Sequence, residues 1–250
     1  MLYRNMNDIF LKSIDGMIKI ILEKVGLEIH RISPSKATRQ IVSSLRKYEI
    51  DLVLDVGANE GQFAKEIRKA GYAGKIISFE PLSKAHAELL QASGKDSNWH
   101  IHPRCGLGDF NGEIEINIAG NSVSSSILPM LELHRIAAPE SAYVGKEMVA
   151  IHTLDKIAGQ YLCSANAPFL KMDTQGFEWH VLKGATQTLP RFKGVLLELS
   201  LVPLYEGQHL WREMLDWLDK EGFILWSLQT GFTDLTDGRT LQFDGILFRL

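Results

Sequence analysis

Apolar positions along the chain change their period several times, and each change predicts an element. Phe10, Ile14, Met17, Ile18, Ile21 and Val25 recur at helical spacing and predict an amphipathic helix. From Asp51 onward, short solid apolar runs alternate with helical stripes. Leu52–Val56 reads as a strand and Gln62–Ala70 as a helix closed by Gly71. Lys75–Glu80 reads as a second strand, followed by a helix over Ser83–Ser93. Trp99–Gly108 holds a third strand, and Gly112–Gly120 alternates with period two as an extra one. After a less regular insert over 121–155, Phe169–Met172 predicts a fourth buried strand and 177–189 a helix. Val195–Leu199 predicts a fifth strand, and 211–222 a helix ending at Gly222. Phe223–Leu228 and Gly245–Leu250 close the pattern as two strands joined by a polar loop.

Alternating strands and helices require a parallel sheet covered on both faces. No helix separates the last two strands, so a hairpin connects them and turns one antiparallel. The pattern therefore predicts an α/β, doubly wound, mostly parallel sheet with a C-terminal antiparallel strand. It divides the chain into an N-terminal helical segment, 1–48, and a catalytic-sized domain, 49–250. No internal repeat or low-complexity linker interrupts it.

Composition narrows this picture. The 250 residues are 45% hydrophobic and 23% charged, with a net charge of -3, so nothing global favours a polyanion as partner. The tryptophans have no basic stripe beside them, which argues against nucleic acid. Cys105 and Cys163 stand in no metal or CxxC spacing and fit a reducing compartment. No signal peptide and no apolar run of roughly 20 residues is present. A soluble cytoplasmic protein is expected. The first 50 residues differ, with nine basic residues against five acidic. Their amphipathic helix is read as packing on the domain, with a membrane surface or a partner, including a second copy, as the other reading.

The chemistry is concentrated at the end of the first strand. In open α/β sheets ligands bind beyond the carboxyl ends of the strands, where strand order reverses. There Asp55-Val56-Gly57 leads into Ala58-Asn59-Glu60-Gly61, and the two glycines permit tight turning and close backbone approach. Glu80 ends the second strand about 20 residues later, where an acid accepts ribose hydroxyls. Together these predict a nucleoside site. Asn59 stands where a dinucleotide fingerprint has its second glycine, and Asp55 would repel a pyrophosphate but suits an amino group. Both features favour S-adenosylmethionine.

These stretches, with "FEP" (Phe79–Pro81), "GLGDFNG" (Gly106–Gly112), "NSVSSSILPM" (Asn121–Met130), "FLKMDTQGFEWHVLKGA" (Phe169–Ala185) and "LLELS" (Leu196–Ser200), resemble the FkbM-type methyltransferases in order over Asp51–Leu250. The resemblance implies a class I methyltransferase (Rossmann-like) fold with a seven-stranded sheet. It also implies S-adenosylmethionine as donor, and a hydroxyl acceptor on a sugar, glycan or secondary metabolite. It maps Asp55, Gly57, Ala58, Asn59, Gly61, Glu80 and Pro81 to the cofactor site, with Asp109 reaching the adenine. Gln175 stands where many members carry glutamate.

A hydroxyl acceptor needs a proton acceptor or a metal near the transferred methyl. Asp173, at the end of the fourth strand, is one candidate, with Glu178 a helical turn later. Their other reading is an N-terminal cap and a dipole partner for the next helix. His152 is the best placed of eight histidines, ahead of His134 and His180. Magnesium between Asp173 and Glu198 is conceivable chemistry but is not favoured, since the ligand count is short. Ser122, Ser124, Ser125 and Ser126 are expected to cap a helix starting at Ile127 and to wall the acceptor side. Two rivals stay open: an NAD-dependent oxidoreductase on the same topology, and a non-catalytic nucleoside-binding module, supported by Gln175.

Overall fold

A computed structural model describes residues 35–250, and every element below belongs to the compact unit Lys36–Leu250. The amphipathic helix expected over 10–25 lies outside the described residues. The chain runs α1 (Lys36–Lys47), β1 (Leu52–Val56), α2 (Gln62–Lys69), β2 (Lys75–Phe79), α3 (Ser83–Ser93) and β3 (Trp99–Ile101). It continues through β4 (Gly106–Leu107), β5 (Gly112–Ala119), α4 (Glu132–Ala137), β6 (Tyr143–His152), α5 (Leu154–Ile157) and α6 (Gly159–Leu162). The last elements are β7 (Pro168–Met172), α7 (Glu178–Lys183), β8 (Gly194–Ser200), α8 (Trp211–Lys220), β9 (Ile224–Thr230) and β10 (Gln242–Phe248).

Seven strands form one sheet in the order β3-β2-β1-β7-β8-β10-β9. β1 pairs in parallel with β2 on one side and β7 on the other, so the strand order reverses there. β10 runs antiparallel to both β8 and β9 and is inserted between them. The expected hairpin is present, with its final strand inside the sheet rather than at the edge. That placement follows from burial: Ile246, Leu247 and Phe248 are almost fully covered, whereas Ile224, Leu225 and Trp226 on β9 are exposed.

Successive residues of a strand face opposite sides, and the core divides accordingly. Leu52, Leu54 and Val56 join Leu170, Met172, Val195 and Leu197 under α5 to α8. Val53, Ile76, Phe169, Leu196, Ile246 and Phe248 face α1, α2 and α3. Ile41, Val42 and Leu45 bring α1 into this second layer, so the helix before position 49 packs on the sheet. Trp211 and Trp217 pack half-buried against the first layer.

The remaining strands form a separate three-stranded sheet, β4-β6-β5, in which β5 and β6 make a long antiparallel pair. The single strand expected over 99–108 is thus two short ones in different sheets. The helix expected at Ile127 is absent, and helix begins only at Glu132. The serine hydroxyls are used elsewhere: Ser125 Oγ donates to Ser122 O and accepts from Ala119 N, while Ser126 Oγ donates to Gln175 O. The helix expected to reach 189 stops at Lys183, because the Asp155 carboxylate holds the backbone N–H groups of Gln187 and Thr188 in a different turn. Thr153 caps α5, its side chain accepting from Lys156 N at 3.3 Å.

Phe248 tests the internal position of β10. Its ring stacks on Tyr48 at 4.1 Å and lies 5.6 Å from Phe169. Phe248→Ala should cost ~3–5 kcal/mol, read as a lower urea midpoint at an unchanged slope. A loss below about 1 kcal/mol would contradict a buried β10.

Candidate cofactor and acceptor site

Asp55, Ser78 and Lys171 occupy one row of the sheet, because Asp55 is the register partner of Ser78 on β2 and of Lys171 on β7. Their side chains meet in that row. Lys171 Nζ lies 3.0 Å from Asp55 Oδ1, Ser78 Oγ donates to Asp55 Oδ2 at 3.0 Å, and Trp99 Nε1 donates to Ser78 Oγ. Lys171 also donates to Gly57 O at 3.0 Å and sits 3.7 Å from Asp173 Oδ2. Burial by itself would lower the lysine pKa, but the charges of Asp55 and Asp173 outweigh it and raise it.

Above this row β1 turns sharply. Gly57 has φ +70°, and a Cβ there would stand 1.9 Å from Asp173 O, so the two strand ends touch backbone to backbone. Gly61 has φ +83° and lies against Trp99, where it starts α2. Glu80 closes the turn: Oε2 accepts from Asn59 N and Oε1 from Leu82 N, each at 2.8 Å. Burial pushes the Glu80 carboxyl up to about 7, against the pull of those two N–H groups.

A cavity of about 190 Å³ opens here. Gly57, Ala58, Asn59, Glu80, Pro81 and Asp173 line it, together with Gln62, Phe63, Lys171, Gln175 and Phe177. Ser122, Val123, Ser125 and Ser126 of the insert form the facing wall. Ser122, Ser125 and Ser126 belong to the cavity though not as a helix cap, whereas Ser124 bonds to Asn121 outside the lining. Of the other residues singled out from sequence, Asp55 lies below the cavity, sealed by Lys171, and Gly61 lies behind it. Asp109 turns away to His180 Nδ1, at 3.0 Å. His152 lies on β6 as a neighbour of His102, outside the lining, and His134 is buried between Tyr205 and Phe232. Lys171 was missed, yet it is a lone charge in the apolar run "PFLKM", and a charge in a doubly covered strand is the signal that could have found it.

Behind Asp173 lies a carboxylate cluster in which Glu178 is buried and Glu198 and Asp244 are half-buried. Glu178 Oε1 accepts from Thr174 N at 2.7 Å, from Thr174 Oγ1 at 3.0 Å and from Gly176 N at 3.4 Å. It braces the loop and does not line the cavity, and Asp173 is not the cap of α7, which is Phe177. Burial, then the charges of Asp173, Glu178 and Asp244, hold Glu198 well above the usual carboxylate range. Burial and Asp173 push Asp244 up to about 6. The amide nitrogen of Gln175 stands between Asp173 and Glu198, where a cation shared by those two carboxylates would have to sit. Among the described residues, no group of three or more His, Cys, Asp or Glu is arranged to hold a metal ion.

A doubly wound sheet with a glycine turn, a buried acid and a cavity at its switch point defines a nucleoside-binding α/β protein. Residues 55–225 match the family described as the Methyltransferase FkbM domain, and the chain belongs to that family. It is a methyltransferase using S-adenosylmethionine, which sets the oxidoreductase reading aside. The 2-O-methyltransferase NoeI of Sinorhizobium fredii (strain NBRC 101917 / NGR234) is 28% identical over 192 residues, covering 74% of this chain and 78% of the relative. Among solved structures, an rRNA methylase from Streptococcus thermophilus shares 12% identity at a TM-score of 0.45, covering 90% of this chain and 99% of its own. TehB from Haemophilus influenzae shares 9% at a TM-score of 0.45, covering 84% of this chain and 61% of its own.

Glu178 gives the site a measurable pH dependence. Burial raises its carboxyl from 4.5 to about 7, so the folded protein holds an extra proton between those values. The contribution to stability is complete below about 4.5 and is lost as pH rises through 7. Glu178→Gln keeps an acceptor for the Thr174 and Gly176 donors and removes that titration. The variant should match wild type near pH 4.5 and exceed it above pH 7 by on the order of 3 kcal/mol in chemical denaturation. A difference that does not change with pH would show that Glu178 is not buried as described.

Proposed function

We propose that this chain methylates a hydroxyl group of a sugar, a glycan or a hydroxylated metabolite, with Asp173 taking the proton. The observation that carries the reading is the contrast between the two carboxylates of the cavity wall. Glu80 is buried and holds the turn, whereas the Asp173 side chain is 44% exposed at the strand end. The 2-O-methyltransferase name of the Sinorhizobium relative supports an oxygen acceptor.

The residues present fit S-adenosylmethionine. Each Glu80 oxygen accepts one backbone N–H and keeps a lone pair for a ribose hydroxyl. The backbone of Gly57 and Ala58 comes close enough to the cavity to contact the methionine part. When bound, S-adenosylmethionine supplies a methyl group already activated by its positive sulfur. The chain then needs to align the acceptor, and alignment can contribute ~7–11 kcal/mol. Asp173, which lies beside the Lys171 ammonium, would take the proton of the acceptor hydroxyl as that oxygen gains its methyl group. The serine wall and Val123 face this point and would shape the acceptor subsite.

Two variants separate the roles. Glu80→Ala should weaken S-adenosylmethionine binding in calorimetry by ~1.5–3 kcal/mol, through lost hydrogen bonds to a charged group. Asp173→Asn should leave that binding within a few-fold. It should lower methyl transfer about 10²–10⁴-fold, followed by mass spectrometry over a panel of glycans and hydroxylated metabolites. Wild-type protein that folds but does not bind S-adenosylmethionine would defeat the reading, and full activity of Asp173→Asn would remove Asp173 from it.

A further inference from the structure

Gln175 lines the cavity, and the proton transfer proposed for Asp173 leaves it without a task. Its surroundings give it one. The amide nitrogen donates to Asp173 Oδ1 at 2.8 Å and to Glu198 Oε2 at 3.1 Å, using both of its protons. The amide oxygen accepts from Tyr205 Oη at 2.9 Å. The reverse orientation would set a carbonyl oxygen against two carboxylates, so the network admits a single amide orientation. The backbone has φ +54°, a left-handed conformation that a glutamine adopts only when its neighbours impose it. Its carbonyl accepts from Ser126 Oγ at 2.7 Å, which ties the serine wall to the same residue.

We infer that Gln175 is a positioning residue for Asp173: its amide bridges the Asp173 and Glu198 carboxylates and fixes which way the Asp173 carboxylate faces. This rests on the reading of Asp173 as the proton acceptor. The bridge is neutral, and the charges around it show why that matters. Asp173 meets Glu198 from β8, Asp244 from β10, Glu178 from the start of α7, and Lys171 from its own strand. Asp55 on β1 shares that lysine, and Tyr205 closes the far side. Lys171 is the cation of this set, so donors that add no negative charge are what hold two adjacent carboxylates together. An isosteric acid at this position would replace two donors by like charge.

The test uses the full chain without acceptor, labelled with ¹³C at the aspartate carboxyls. The Asp173 resonance is assigned by its loss in Asp173→Asn. In Gln175→Glu it should titrate about one pH unit or more above its position in wild type, because a like charge disfavours the ionised form. Gln175→Met, which loses the donors without adding charge, should give a smaller rise. Tyr205→Phe, which frees the amide to turn, should move the resonance in the same direction and stands in if Gln175→Glu does not fold. Identical Asp173 titrations in wild type, Gln175→Met and Tyr205→Phe would overturn the inference. Loss of the Asp173 role in transfer is read separately from Asp173→Asn activity, and it would leave the carboxyl titrations standing as a structural result.

Discussion

The buried ion pair between Asp55 and Lys171 is the interaction around which the site is arranged. Both side chains are nearly inaccessible, and they meet because β1 and β7 pair in parallel with Asp55 opposite Lys171. A buried pair compensates its own desolvation only when the geometry is good and further hydrogen bonds satisfy the remaining atoms. Here Ser78 covers the second Asp55 oxygen and Gly57 O takes a lysine proton. The same ammonium reaches toward Asp173 at the cavity, so one charge in the sheet orders the turn after β1 and the carboxylate at the end of β7.

That cation stands among six acids, Glu80 included. Asp55 takes it directly and Asp173 shares it, while Glu178 is buried and Glu198 and Asp244 are half-buried nearby, each with its carboxyl pushed upward first by desolvation. A crowd of this kind stays folded through donors: backbone N–H groups for Glu178, and amides from Gln175 and Gln242 for Glu198. Asp173, at the strand end, keeps its side chain 44% exposed and lines the cavity.

The chain also shows how much an amphiphilic pattern can carry. Solid apolar runs and helical stripes gave the strand and helix order, because a strand covered on both faces has no place for alternation. The turn at Gly57 and the acid at Glu80 were legible as candidates, because a nucleoside site would ask for them at a fixed spacing. The insert resisted the same treatment. Four serines before an apolar residue look like a cap, yet Ser125 Oγ accepts from Ala119 N on β5 and Ser126 Oγ donates to the Gln175 carbonyl, a partner far away in sequence.

Sequence by itself determined the fold class, the glycine turn after β1, the acid that ends β2 and the carboxylate that follows β7, since each depends on neighbours within a few residues or on a regular spacing. Tertiary structure alone decided that Asp55 is sealed under the cavity, that Asp109 pairs with His180, that β10 lies inside the sheet, and that Gln175 joins two carboxylates. The reason is physical. Hydrophobic period is a local property of a chain, whereas the partner of a buried charge is set by register between strands more than 100 residues apart.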